Sequence, residues 1–480
     1  MAPPEDPFLD YSDTFVQWFR TQHGAAMSPK IAVADLRRRE AGRGIVAVAD
    51  IAQDEDLFTI PRGSLLTVDN SELREKAPEL LGELDSWLSL VLTMIYEYLL
   101  GAQSKWKPYF DILPERFDTL MFWSPEELAA LQASTVVHKV GKGQADDNFR
   151  LQLLPRIQSR PELFRPYPVL SSDFSRNDLA EGEVMKLAHR FASTILAYAF
   201  DIEKPEQDSA SGSSEDEFVT DDEEEESFKG MVPLADLLNA DADRNNAHLI
   251  SDHLGLTMKA LRSIQQGDEV FNDYGSLPRS DLLRRYGYCT PGYAPFDVVE
   301  IPVSNLLTEA SRITSQGQVF IEARLDYWKD HGILEDGYDL IHPTKSSSAF
   351  PDELMIFVNT LLLSENDFED YRTRNNLPKP IRSPEVLGVL CRSIVRRQGA
   401  YGTTLEHDQA LLENETKGRA QLAIAVRLGE KMILREALVE LAGFSEDKLF
   451  QEECLRAAQQ TLKRRGDAMS SEAPKRYKDD

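Results

Sequence analysis

The sequence predicts an α+β protein. Its β-rich core is written in two separated halves, with a long helical insertion between them and an all-helical domain after them. Three observations predict this. Short strand-like apolar runs broken by Gly turns fill residues 28–70 and return over residues 230–295. Between these halves, and again from about residue 305, apolar residues recur at helical spacing. The second half also holds two turn elements about thirty-five residues apart. One is Asn239, ending the apolar run Val232, Leu234, Leu237, Leu238; the other is Phe271-Asn272-Asp273-Tyr274-Gly275, followed by Tyr286-Gly287-Tyr288. Singly, such an Asn reads as a helix C-cap or turn residue, and a Tyr beside Gly as a strand end.

In chain order, residues 1–27 hold an N-terminal helix over DTFVQWFRTQ, capped by Asp13, with Phe15, Trp18 and Phe19 on one face. The first core half, residues 28–70, contains SPKIAVADL and then AGRGIVAVADIAQDEDLFTIP, where Ile45, Val46, Val48, Ile51, Leu57, Phe58 and Ile60 are strand-like. Gly42-Arg43-Gly44 by itself reads as a hairpin turn, although glycine also lets a backbone approach a ligand closely. No GxGxxG leads from a strand into a helix, so a Rossmann-type site is not supported.

The helical insertion spans residues 71–229. Residues 86–103 are apolar on most faces and predict a buried helix, followed by a turn-rich link, WKPYFDILP. SPEELAALQAS predicts a helix with Ser124 as N-cap, Pro125 at its first position, and Glu126 and Glu127 in its first turn. A long apolar helix over residues 183–202 carries Tyr198. Residues 205–227 hold eleven acidic residues and no Lys or Arg, a composition that cannot order itself by burial, so a disordered acidic segment is expected. Ser213, Ser214 and Thr220 precede acidic residues there and are candidate phosphorylation sites. After the closing core half, residues 230–295, PFDVVEIPV is strand-like and residues 300–462 are expected to form a separate all-helical domain. Within residues 417–441, Ile424, Leu428 and Met432 share a face that Leu434, Leu438 and Leu441 continue. Residues 463–480 read as a basic disordered tail with Lys463-Arg464-Arg465 and Lys475-Arg476, either a nuclear-import signal or a solvated end.

Composition narrows the function. The 53 basic and 81 acidic residues give a net charge of −28, which argues against a nucleic-acid ligand and suits a basic protein partner. Solubility alone also favours acidic chains. No uninterrupted apolar run is long enough for a transmembrane helix, and the acidic start MAPPEDPFLDYSD lacks the apolar stretch of a secretory signal, so no membrane association is expected. Cys289, Cys391 and Cys454 lie too far apart for a zinc site, so no metal is expected, and a reducing compartment fits.

Taken together, four features resemble the SET-domain protein-lysine methyltransferases typified by the Rubisco large-subunit enzyme. They are the AGRGIVAVADI opening, the helical interruption, the VPLADLLN…FNDYG…YGY closing half and the helical C-terminal domain. FWSPEELAALQAS resembles that family's interrupting segment and VRLGEKMIL its substrate-binding domain, so the likeness runs over residues 28–445. MVPLADLLNAD, the acidic insertion and LAYAF resemble the branch acting on nuclear and ribosomal lysines. The resemblance implies a SET-type β-rich pseudoknot, in which the Asn239 and 271–288 segments thread together beside the Gly42 turn. It also implies S-adenosylmethionine as cofactor, held by backbone groups at Ala41, Gly42, Arg43, Gly44, Asn239 and Ala240. By the same likeness Tyr198 and Tyr274 contact the cofactor, Tyr288 packs on or near its adenine, and Tyr274 and Tyr286 are the catalytic tyrosines. Much of the family has Asn-His where this chain has Asn239-Ala240; Ala keeps the backbone hydrogen bonds and loses the imidazole.

The chemistry explains these residue types. Methyl transfer to an amine is an in-line displacement, so positioning dominates. A lysine of pKa about 10.4 is neutral only about once in 2,500 at pH 7, and deprotonation costs about 4.6 kcal/mol. A narrow apolar channel and a nearby sulfonium both lower that pKa. Tyrosine walls would shape such a channel without a carboxylate that keeps the ammonium charged, and no dedicated base stands out in the motif. The expected protein is a monomeric nuclear enzyme, with the cytoplasm as a second location, acting on a basic ribosomal or nuclear protein. Histidine methylation by the same fold, or a catalytically weak protein-binding module, remain open alternatives.

Overall fold

The computed structural model describes residues 7–39, 41–165, 179–203, 227–252, 255–313, 318–414 and 417–459. The acidic stretch up to residue 226, with Ser213, Ser214 and Thr220, and the basic tail lie outside the described residues. The chain divides into two compact units.

The first unit comprises Met1–Met121, Gly141–Ser276 and Arg285–Gly287. Its strands are β1 (Ala26–Met27), β2 (Ile31–Asp35), β3 (Arg43–Ala47), β4 (Asp56–Pro61), β5 (Ala199–Glu203), β6 (Ser227–Met231), β7 (Ala247–Ser251), β8 (Gly255–Ala260) and β9 (Glu269–Val270). They form antiparallel sheets ordered β1-β4-β8-β7, β2-β3-β9 and β5-β6. In the first two sheets Ile31, Ile45, Ala47, Phe58, Ile60, Met258 and Val270 are all shielded. The strands are short, and helices cover them. The buried helix Ser86–Leu99, capped by Asp85 accepting from the Leu88 amide at 2.7 Å, packs against the helix Glu181–Tyr198.

Three local expectations change. The first helix runs Pro7–Thr21, so it starts ahead of Asp13, which lies exposed in its interior and is not its cap. Pro7 suits a first helical turn because its missing amide hydrogen has no partner to lose there. Phe15 and Phe19 are fully buried as expected. The predicted link WKPYFDILP contains one helical turn, Lys107–Phe110, with a proline near its start. The helix predicted over residues 183–202 ends at Tyr198. Residues after it form β5, held in register by β6 from Ala199↔Met231 to Glu203↔Ser227. Phe200 and Ile202 suit a pleated surface, and a strand partner supplied by distant sequence overrides helical spacing.

The second unit comprises Phe122–Val140, Leu277–Arg284 and Tyr288–Asp480. It is mostly helical, as expected, but not all-helical: within residues 300–462 the segment Gly337–Ile341 is a strand, β11, which pairs with the expected strand β10 (Val298–Pro302). The expected Ser124 cap on SPEELAALQAS is present, and it extends to a capping box that the sequence reading did not name: Ser124 accepts from Glu127 N, and Glu127 reaches back to Ser124 N. The helix Arg419–Phe444 runs through this unit's core, burying Ile433, Leu434, Leu438 and Leu441.

That helix also carries buried charge. Arg427 and Lys431 both bind Asp408, and Glu430 accepts from Ser134 at 2.5 Å and Tyr401 at 2.6 Å. Burial pushes the Glu430 carboxyl from 4.5 up to about 7. Unfolding returns it to its ordinary value, so the folded state binds more protons between those values and loses stability as pH rises through about 7. Glu430→Gln is expected to flatten that decline in denaturation midpoints measured from pH 4 to pH 8. Gly429 abuts the buried Arg279–Asp297 pair, and a Cβ there would lie 1.9 Å from Asp297 Oδ2. Gly429→Ala is therefore expected to cost about 3 kcal/mol in the same measurement.

Candidate active site

The site begins at the loop joining β2 to β3. Asp35 faces Arg43 across the hairpin, and Leu36 N donates to Gly42 O at 2.7 Å. Gly42 closes the turn at φ +64°, where a side chain would be strained. Gly44 has a different reason to be glycine. A Cβ there would sit 2.5 Å from Leu36 Cδ1, 2.9 Å from Glu269 Oε1 and 3.0 Å from Asn239 Nδ2.

Asn239 fills that space. Its amide donates to Arg43 O at 3.2 Å and to Glu269 Oε1 at 2.7 Å. Its own carbonyl accepts from Asn272 N at 2.9 Å, and Ala240 forms a parallel bridge with Asn272. Next along the chain, Asn246 donates to Glu269 O at 2.9 Å and accepts from Phe271 N at 2.8 Å. The segment before the aromatic turn is thus pinned to β3 on one side and to the Asn239 segment on the other, the threading expected of a pseudoknot.

These elements enclose a cavity of about 570 Å³. Ala41, Gly42, Arg43, Tyr198, Asn239 and Tyr274 line it together. Gly44, Ala240 and Tyr286 are set back from the wall. Gly44 backs onto the Asn239 amide, and Ala240 is buried in its bridge to Asn272. Tyr286 stacks on Tyr274 with ring centroids 4.2 Å apart and planes at 12°. Tyr288 belongs to the second unit. The Arg43 side chain grips the first helix and its neighbourhood, donating to Ser12 Oγ, Ile112 O and Phe8 O with its guanidinium 3.8 Å from the Phe8 ring centroid. Phe8 and Ile112, which the guanidinium binds, line the same cavity.

Leu237 and Leu238 of the apolar run also line it. Phe8, Tyr11, Arg37, residues 111–115 and Asp236 complete the wall. None of these stood out in the sequence. For Phe8 and Tyr11 there was no local signal. For Asp236 there was one: an acidic residue inside the apolar run VPLADLLN. Asp236 sits in the 3-10 turn Ala235–Leu237, entered through Leu234 at φ +81°, a strained conformation for a branched side chain. Tyr109 donates its hydroxyl to Asp236 Oδ2. Burial pushes the Asp236 carboxyl up to about 7 and the Tyr109 hydroxyl well above its usual range. Burial, then the nearby Asp236 carboxyl, raises Tyr198 to about 12, and burial raises Tyr286.

Gly44→Ala is expected to destabilise the first unit by about 1–3 kcal/mol, because the Asn239 amide must yield. Gly42→Ala meets no neighbour and is expected to cost about 1 kcal/mol, from backbone strain alone. Urea denaturation of the two variants separates these effects.

Comparison with known proteins agrees with this geometry. Residues 42–275 match the SET domain family, and residues 315–434 match the Rubisco LSMT substrate-binding family. The chain is 31% identical over 396 residues to ribosomal lysine N-methyltransferase 4 of Saccharomyces cerevisiae, covering 81% of this chain and 73% of that protein. It is 29% identical to the N-lysine methyltransferase SETD6 of Mus musculus, over 90% of this chain and 91% of the relative. Among solved structures, LSMT bound to lysine and AdoHcy superposes with a TM-score of 0.65 at 22% identity, covering 94% of this chain and 93% of its own. Rubisco LSMT bound to AdoMet gives 0.62 at 20% identity, covering 93% of each chain, and both likenesses show the fold. With a threaded core, a helical C-terminal region and relatives matched along most of its length, the chain belongs to the SET-domain protein-lysine methyltransferases that carry a Rubisco LSMT-type substrate-binding domain.

Proposed function

We propose that the cavity is the S-adenosylmethionine site of a protein-lysine N-methyltransferase, and that the enzyme acts in the nucleus on a basic protein, of the large ribosomal subunit or another nuclear assembly. The observation that carries this reading is the convergence of Gly42, Asn239 and Tyr274 on one cavity from three distant parts of the chain. Its volume of about 570 Å³ is ample for a nucleoside-sized ligand. The wall sets Ala41–Arg43 and Leu237–Asn239, whose backbone offers donors and acceptors, beside aromatic and apolar residues, a lining that fits the cofactor.

When bound, the cofactor supplies an electrophilic methyl group on a sulfonium. The chain's own residues orient it and receive the amine. Backbone at 41–43 and 237–239 fixes the ligand, and the shielded Ala240 backbone keeps its place although the family's imidazole is missing. Tyr274 lies on the cavity wall, its hydroxyl 3.4 Å from Leu238 O. That hydroxyl and backbone carbonyls can accept weak C–H···O contacts of about 0.5–1 kcal/mol each from a methyl carrying partial positive charge. Tyr286, stacked behind Tyr274, holds that ring and forms the aromatic wall of an amine channel.

Support for the substrate class is of two kinds. The relative from Saccharomyces cerevisiae is named for ribosomal lysine. The net charge of −28 favours encounter with basic proteins. The basic clusters at Lys463–Arg465 and Lys475-Arg476 support nuclear import.

Incubation with labelled cofactor and purified large ribosomal subunit proteins tests the reading, with the label expected on a lysine of one of them. Tyr274→Phe is expected to lower turnover at least about 100-fold while S-adenosylhomocysteine affinity changes less than about threefold. Labelling of non-ribosomal nuclear proteins only would redirect the substrate assignment.

A further inference from the structure

Methyl transfer as described leaves the Asp236 carboxyl without a task. That group is 8% exposed and lines the cavity. One oxygen accepts from Tyr109, and the other, Oδ1, is buried with no hydrogen-bond partner among the described residues. Leaving such an atom unpaired costs about 1–3 kcal/mol, a cost a bound donor would offset. The charged side chains on the same wall are otherwise engaged. Arg43 binds Ser12, Phe8 and Ile112, Arg37 pairs with Asp35, and Asp111 pairs with Lys107. Glu115 lines the wall as well. Facing Asp236 from its neighbouring helices are Tyr109 and Tyr198, and Tyr286, behind Tyr274, lies close enough to Tyr198 to affect its ionisation. A carboxyl therefore stands in the cavity wall, held by Tyr109, with one oxygen shielded and unpaired.

We propose that Asp236 receives the proton of the substrate lysine: the incoming ammonium docks against Oδ1 and passes its proton to that oxygen, while Tyr109 holds the carboxyl in position. This rests on the methyltransferase reading of the same cavity. The N–H bond of the ammonium breaks and an O–H bond forms, giving a neutral amine and a neutral carboxylic acid. The freed nitrogen lone pair then forms the N–C bond as the C–S bond breaks, its electrons staying on sulfur. One positive charge passes from sulfonium to methylammonium, and Asp236 later loses its proton to solvent. An ordinary carboxylate would only hold the ammonium charged. One whose own proton affinity is raised toward pH 7 by burial can take the proton.

The test uses the full chain loaded with S-adenosylhomocysteine, with free lysine and norleucine as probes in calorimetry. Lysine affinity is expected to rise about tenfold from pH 6 to pH 8 as the carboxyl ionises, and norleucine affinity to stay level. Asp236→Asn is expected to abolish the rise while keeping S-adenosylhomocysteine affinity within about threefold. Because the Tyr109 hydroxyl favours the ionised carboxyl, Tyr109→Phe is expected to move the midpoint of the rise to higher pH. It decides the question should Asp236→Asn misfold. Lysine binding unchanged in Asp236→Asn, or an unmoved midpoint in Tyr109→Phe, would overturn the assignment of Asp236 alone. Failure of the unmutated protein to bind S-adenosylhomocysteine would overturn the methyltransferase reading and this proposal with it.

Discussion

One carboxamide holds the site together. Asn239 donates to a carbonyl 196 residues before it and to a carboxylate 30 residues after it, while its own carbonyl receives the Asn272 amide. A side chain with two donors on one nitrogen suits this junction. Asp in its place would present acceptors to Arg43 O and Glu269 and meet repulsion at both. The close approach is possible because Gly44 leaves the room a Cβ would take. The cavity is therefore a long-range object: its walls exist only after the chain has threaded, which is why no short piece of sequence contains it.

Two buried carboxyls illustrate how similar environments serve different ends. Glu430 and Asp236 are both shielded, both raised to about 7 by burial, and both hydrogen-bonded by a tyrosine. Glu430 has a second donor in Ser134, so each of its oxygens is matched and it stays a packing element of the helical unit. Asp236, on a cavity wall, has one oxygen matched and one shielded without a partner among the described residues. Satisfied buried polar groups specify structure, whereas half-satisfied ones are costly unless something else completes them.

Much of this was legible in the sequence. Strand-like apolar runs and Gly turns mark β2, β3 and β4, and the Ser124 cap, Pro125 and the acidic first turn stand in four consecutive residues. Gly42, Asn239 and Tyr274 are readable as a site because turn chemistry and aromatic content mark their segments, and the resemblance joins the pieces. Other features depend on partners that local sequence cannot name. The end of the helix at Tyr198 depends on β6, and the β10–β11 ribbon depends on two strands separated by helices. Phe8 joins the wall only because the Arg43 and Arg37 guanidiniums lie over its ring. Asp236 was the readable omission: a charge within an apolar run is costly enough to demand a reason.

The β5–β6 hairpin also isolates the site from the length of chain it joins. Its strands end side by side at Glu203↔Ser227, while their other ends meet at Ala199↔Met231, next to Tyr198 and the run leading to Asn239. The ladder clamps Glu203 beside Ser227, so the number of residues joining them puts no strain on Tyr198 or on the run to Asn239. The hairpin uncouples the length of that connection from the geometry of the cavity wall.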